Sequence, residues 1–220
     1  MSAGGLFIAF EGGEGAGKST QVHALAHRLT TAGRKVTVTR EPGTTPLGGA
    51  LRGLLLDAQP GGVPPKAEAL LYAADRANHV SAVIRPALAA GHIVITDRYE
   101  DSSIAYQGHA RMLGADEVAW LSRWASDDLH PDVVILLDLD PNIGLARVRR
   151  RGPGDRIEAE TVEFHQRVRA GFQTLVLANP SRYLVLDATA PAGEIAAAVH
   201  THVTGLLDTR PTSTCEGASV

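Results

Sequence analysis

The chain lacks the marks of several large classes of protein. Its single cysteine, Cys215, lies in a polar C-terminal stretch, which excludes an internal disulfide framework and suits a reducing cytoplasm. No segment approaches the roughly 18 uninterrupted apolar residues of a spanning helix. The N-terminal MSAGG has neither a basic patch nor an apolar run, so a soluble, unexported, cytoplasmic protein with no membrane partner is expected. Net charge is only −3, with 21 basic and 24 acidic residues interspersed, and no global field invites nucleic acid. Any anion binding has to come from local clusters. Internal repeats and extended low-complexity tracts are missing too. His23 and His27 stand four apart, but no glutamate follows the first as a zincin requires, so they read as surface or helix-edge residues without a metal role.

What is present is a regular alternation. Five short runs rich in Val, Ile and Leu, namely LFIAF (6–10), KVTVTR (35–40), HIVITD (92–97), DVVILLDL (132–139) and RYLVLD (182–187), are separated by longer stretches. Helical spacing of apolar residues covers 18–32, 66–90, 115–125, 157–178 and 192–207. This predicts an α/β fold with a five-stranded parallel sheet flanked by helices. The 220 residues, 44% hydrophobic, fit one domain over 1–207. GGVPP (61–65) reads as a loop, and Pro86 is expected to kink the helix that begins at Lys66. From Asp208 the tail DTRPTSTCEGASV has too few apolar residues to dock and is expected to be disordered. Glu11, the pair Arg40-Glu41 and the pair Asp97-Arg98 end or adjoin predicted strands, where ligands of open α/β sheets bind.

The first run leads into EGGEGAGKST (11–20). Gly12, four residues, then Gly17-Lys18-Ser19 match G-x-x-x-x-G-K-[ST] between a predicted strand and a predicted helix, the context the motif needs. Glycines let backbone N–H groups turn inward on phosphate oxygens, and the helix start adds its positive end. Lys18 can then reach the β- and γ-phosphates, with the Ser19 hydroxyl on Mg²⁺. The stretch Gly12, Gly13, Glu14, Gly15, Ala16, Gly17, Lys18, Ser19 and Thr20 is the candidate ATP site of a P-loop NTPase fold. A GTP-dependent switch of the Ras type would carry N-K-x-D, but the three asparagines precede His, Ile and Pro. A phosphotransferase instead needs a second anion site and an arginine-bearing flap.

Both have candidates. After Asp97-Arg98-Tyr99, a helix would gather Ser102, Ser103, Tyr106 and Gln107 on one face, either as an ordinary polar face or as a reader of base and sugar. Tyr72 and Arg76 share a face four residues apart, a pair that alone more often marks a core edge and a salt bridge. Five arginines lie between Arg147 and Arg156, interrupted by Gly152-Pro153-Gly154. Such a run is usually a solvated face; as a small flexible lid over about 148–157 it would suit bidentate phosphate contact.

Taken together, EGGEGAGKST, TREPGTTPLG, KAEALLYAADR, DRYEDSSIAYQG and DRIE, in that order, resemble the bacterial thymidylate kinases over nearly all of the chain to about residue 207. The resemblance implies transfer of the γ-phosphoryl group of ATP to dTMP with Mg²⁺, by a homodimer. It implies that Glu14 contacts the dTMP 3′-hydroxyl and that Glu41 and Pro42 shape the monophosphate pocket. Arg52, Arg76 and Arg98 would lie near the dTMP phosphate or base. Tyr72 would stack on thymine, Ser103 and Gln107 would read it, and Tyr106 would lie beneath the deoxyribose. Lys18, Arg98 and Arg156 are the implied catalytic residues, with Arg156 in the flap because no arginine follows Glu14 within the phosphate loop. Ser19 and Asp97 are the implied metal-site residues. Two departures stand out: Thr44 replaces the second glycine of the usual EPGGT, and Tyr72 carries a hydroxyl where relatives often have Phe. Thr disfavours positive φ, so the turn at Thr44 is expected to differ.

Overall fold

In a computed structural model, which describes residues 5–57, 62–152 and 154–209, the run LFIAF opens a strand, β1 (Leu6–Glu11), buried along its whole length. The chain continues through α1 (Lys18–Thr31), β2 (Val36–Arg40), α2 (Pro46–Leu56), α3 (Pro65–His79), a π-helical turn at Val80–Ile84, α4 (Arg85–Ala89) and β3 (Ile93–Asp97). Next come α5 (Glu100–Ser103), a second π-helical turn at Ile104–Ala110, α6 (Ala115–Ser126) and β4 (Val133–Asp138). The last elements are α7 (Pro141–Arg149), α8 (Val162–Ala178), a 3₁₀ turn at Pro180–Arg182, β5 (Tyr183–Asp187) and α9 (Ala192–Asp208).

The strands pair in parallel in the order β2-β3-β1-β4-β5. Central β1 sends alternate residues to opposite faces. Leu6, Ile8 and Phe10 pack with Val22 and Leu25 of α1 and Ile195 and Val199 of α9. Phe7 and Ala9 pack on the other face with Val80, Ile84 and Tyr99. A strand covered on both sides needs a continuous apolar run, which LFIAF provides, whereas the edge strands β2 and β5 keep partly exposed positions. β1 connects to β2 on one side, and the chain later crosses from β3 to β4 on the other, so a crevice opens at the carboxyl end of β1.

All five expected strands form. The helices differ in five places. α2 and α7 had no periodic signal. The helix expected over 66–90 widens into a π turn just before Pro86, which cannot donate into the preceding turn and whose ring crowds the carbonyl four residues back. The helix expected from 157 starts at Val162, because the Asp155 carboxylate accepts from Ile157 N and Glu158 N, each at 2.9 Å, and holds a turn there. α9 reaches Asp208, one residue beyond the expected domain end, and the rest of the predicted tail from Arg210 lies outside the described residues.

Candidate active site

The phosphate loop joins β1 to α1 and lies against α7. Gly15 has φ +69°, and a Cβ there would stand 2.2 Å from the Gly144 carbonyl oxygen, so no other residue fits. α1 begins at Lys18 without a side-chain cap and without an acidic residue in its first turn. Its positive end is therefore open to an anion. Lys18 Nζ donates to the carbonyls of Gly12 and Gly13 at 3.0 and 2.9 Å. Burial, then the Arg98 charge, pulls its pKa below the ordinary value. Ser19 Oγ donates to the Asp97 carboxylate at 2.7 Å.

Arg98 links the loop to the acceptor side. It directly follows β3 with φ +72°, a strained position for arginine, and its side chain lines the crevice. Its guanidinium donates to Gly12 O and Ser102 Oγ, both at 3.1 Å, and to Glu14 at 2.7 Å, and lies 5.0 Å from the Tyr106 ring centroid. Glu14 also accepts from the Tyr106 hydroxyl at 2.8 Å. Burial alone would raise the Glu14 pKa, but Arg98 and Lys18 outweigh it and bring the value to about 2. Glu14 is thus an ion. Behind Arg98, Ser102 donates to Glu11 at 2.5 Å; burial and the Asp101 charge push the Glu11 carboxyl up to about 8.

The opposite wall gathers Tyr72, Arg76, Ser103, Tyr106 and Gln107 around one cleft of about 290 Å³, with Glu41, Pro42 and Arg52 at its other side. Arg76 is buried and spends its guanidinium on Glu41, Ser122, the Tyr99 carbonyl and Ser103, all within 3.1 Å. It therefore frames the pocket as much as it faces it. Arg52 donates to the Pro42 carbonyl at 2.9 Å. Gln107 donates to Glu68 at 2.8 Å. Burial, reinforced by the Glu68 charge, raises the pKa of the Tyr72 phenol. The face expected for Ser102, Ser103, Tyr106 and Gln107 does form on the cleft, although a π turn rather than a plain α-helix carries its second half.

Thr44 does not take positive φ; that falls on Gly43. The Thr44 hydroxyl instead accepts from Arg40 N at 3.0 Å and donates to Arg40 O at 2.8 Å, closing the turn onto the end of β2. Arg156 does not line the cleft. Its guanidinium donates to the Leu55 carbonyl at 2.8 Å and to Glu68 at 2.6 Å, and its backbone N–H donates to the Leu56 carbonyl at 3.0 Å, which anchors this segment to the end of α2. Of the arginines from 147 to 156, Arg151 lines the cleft, two-thirds exposed and 3.5 Å from Glu158. Arg147 is fixed elsewhere, donating to Gly15 O and Ala188 O. Sequence reasoning passed over Glu68, although Glu68, Tyr72 and Arg76 recur every four residues along α3.

A family model described as thymidylate kinase matches residues 10–199. The chain belongs to the thymidylate kinase family. A thymidylate kinase of Leifsonia xyli subsp. xyli is 53% identical over 202 residues, covering 91% of this chain and 95% of the relative. One of Deinococcus radiodurans is 50% identical over 195 residues, with 89% and 94% covered. The crystal structure of thymidylate kinase from Ehrlichia chaffeensis superposes with a TM-score of 0.72 at 34% identity, covering 93% of this chain and 99% of that one. The five-stranded parallel sheet is thus the P-loop NTPase fold of a thymidylate kinase, a nucleotide-binding phosphotransferase. No helix among the described residues is long and apolar enough to cross a membrane.

Proposed function

We propose that the cleft binds ATP at the phosphate loop and dTMP at the Tyr72–Gln107 wall, and moves the γ-phosphoryl group to the dTMP phosphate, giving ADP and dTDP. The observation that carries this is Arg98, whose guanidinium donates to Gly12 O and Glu14 of the phosphate loop and to Ser102 Oγ, and lies 5.0 Å from the ring centroid of Tyr106 on the acceptor wall. Bringing two polyanions together makes charge repulsion the main barrier. Lys18 neutralises the donor phosphates, and Arg98 sits where the transferring group passes between the two sites. The dTMP phosphate is already ionised at neutral pH, so no general base is required, and Asp97 orients Ser19 rather than taking a proton.

Glu41 and Pro42, with Arg52 behind them, shape the monophosphate pocket; Glu14 and Tyr106 face the sugar. Tyr72 stacks on thymine while Ser103 and Gln107 read its edge, with Arg76 holding Ser103 in place. In the flap, Arg151 takes the catalytic role that the sequence resemblance gives to Arg156. The oxygen donors of Ser19 and Asp97 suit Mg²⁺, which binds through few carboxylates and completes its shell with water and phosphate oxygens. Bound there, Mg²⁺ supplies charge neutralisation on the triphosphate.

The functional unit is a cytoplasmic homodimer on this reading. Leu54 of α2, Leu70 of α3, and Trp120 and Trp124 of α6 are all at least half exposed, and α3 packs against both α2 and α6. The two indoles stack with centroids 6.3 Å apart. Such a face suits a second copy of the chain, and Trp124→Glu should shift the mass in light scattering from two copies to one.

A coupled ADP-release assay with ATP against a panel of nucleoside monophosphates tests the activity. dTMP should be the best acceptor. Turnover of a different monophosphate alone assigns the cleft to that substrate, and ATP binding without any acceptor removes the transfer reaction.

A further inference from the structure

Among the buried carboxylates to which the mechanism above gives no task, Glu68 stands beside the base wall. Glu68 has no exposed surface and sits behind the base wall, one turn before Tyr72. Its oxygens accept from Gln107 Nε2 at 2.8 Å, from Arg111 Nε and Nη2 at 3.1 and 3.2 Å, and from Arg156 Nη2 at 2.6 Å. Burial alone would raise its pKa, but the hydrogen bonds from Arg111, Gln107 and Arg156 outweigh burial and hold it below the ordinary carboxylate value. An ionised carboxylate can only accept. An amide facing it has to offer its NH₂ group, which turns the Gln107 carbonyl oxygen the other way. Gln107 lines the cleft next to Ser103 and Tyr106.

We infer that Glu68 is a positioning residue that locks the Gln107 amide with its oxygen toward the base, so that the cleft selects a pyrimidine carrying hydrogen on N3 over one whose N3 is a lone pair. The inference rests on the proposal that this wall reads the base of dTMP. Thymine and uracil offer that N–H. Cytosine at neutral pH would set its N3 lone pair against the Gln107 oxygen, leaving two acceptors face to face and both unpaired, a mismatch that discriminates far more strongly than a methyl group does. Glu68 does this without touching the substrate. Its other partners, Arg111 and Arg156, supply the positive charge that keeps it ionised and so keeps the amide from reversing.

The test is the ratio of kcat/KM for dTMP to that for dCMP, measured in competition. Glu68→Gln has nearly the same shape but can itself donate, which allows the Gln107 amide to reverse. The ratio should fall at least tenfold, chiefly through a higher KM for dTMP, while the KM for ATP changes little. In a Gln107→Met background the same substitution should produce no further fall, because Glu68 acts through that amide. Glu68→Asp keeps the charge for Arg111 and Arg156 but withdraws the acceptor from Gln107, and should also lower the ratio, by threefold or more; it serves if the glutamine variant does not fold. An unchanged ratio in either folded variant, or an equal fall in the Gln107→Met background, overturns the inference. A wild-type enzyme that does not phosphorylate dTMP overturns the functional reading on which it rests, and that outcome is visible before any variant is made.

Discussion

The phosphate loop and the flap are both short, basic, glycine-bearing segments, yet they are held in different ways. In the loop, Gly15 presses on Gly144, Lys18 bonds two loop carbonyls, and Arg98 and Arg147 each donate to a loop carbonyl. The flap is anchored at its root, where Asp155 closes a turn and Arg156 bonds Leu55 and Glu68. Farther out, a Cβ at Gly152 would meet nothing within 4 Å, and Arg151 has one long ion pair. Charges in the loop are therefore preorganised, whereas in the proposed mechanism the flap brings its charge to the phosphates by closing. Removing a loop group should damage chemistry outright. Removing a flap group should separate chemistry from binding according to whether it lies at the tip or the root.

Lys18→Ala should show the largest effect, a loss of at least about a hundredfold in kcat with the fold intact by circular dichroism. Near-normal turnover would remove the loop from the mechanism and erase the contrast with the flap.

Acid stability should come next. The Glu14 pKa of about 2 lies below its ordinary value of 4.5, so its contribution is complete above pH 4.5 and is lost as pH falls through 2. Urea unfolding should show stability dropping over that window in the wild type and a shallower drop in Glu14→Gln. Parallel curves would contradict the Glu14–Arg98 pairing. The Glu158 pKa in the flap moves the other way, raised mainly by burial, and Glu158→Gln should leave that acid limb in place.

Tyr106 gives a smaller, sharper test. Its ring is buried against Phe164 and Phe172, so truncation to alanine would open a core cavity costing about 3–5 kcal/mol. Tyr106→Phe keeps the ring and removes only the bond to Glu14. It should raise the KM for dTMP several-fold and leave the preference over the ribonucleotide within about twofold, because a ring against the sugar discriminates by bulk. A collapse of that preference would place discrimination at the hydroxyl.

Thr44→Gly should have the smallest effect, about 1 kcal/mol of stability from the lost hydroxyl bonds and the freer unfolded backbone, read as a lower melting temperature with little change in kcat. A rise in stability would mean that the turn prefers the second glycine.

The same contrast decides what could be read from sequence. The phosphate loop was legible because its function is written in local geometry: a buried strand, positive-φ glycines, an uncapped helix start. The strands were legible for the same reason. α2 was not, since PLGGALRGLLL has poor intrinsic propensity and is helical through packing of Leu51 and Leu55. The π turn at Ile104–Ala110, unlike the one before Pro86, has no compositional signature. Arg156 was placed by motif alone, and its actual partner, Glu68, lies 88 residues away. A side chain whose role is set by a distant buried ion cannot be assigned from its neighbours in sequence.

The most direct test compares kcat and the KM for dTMP in Arg151→Ala and Arg156→Ala. Arg151→Ala should lose kcat by about tenfold or more with KM nearly unchanged, the mark of a group used only in the transition state. Arg156→Ala should keep most of kcat and raise the KM for dTMP through the loosened Glu68–Gln107 wall. The reverse pattern, with kcat lost on removing Arg156 and retained on removing Arg151, would contradict the division between flap tip and flap root.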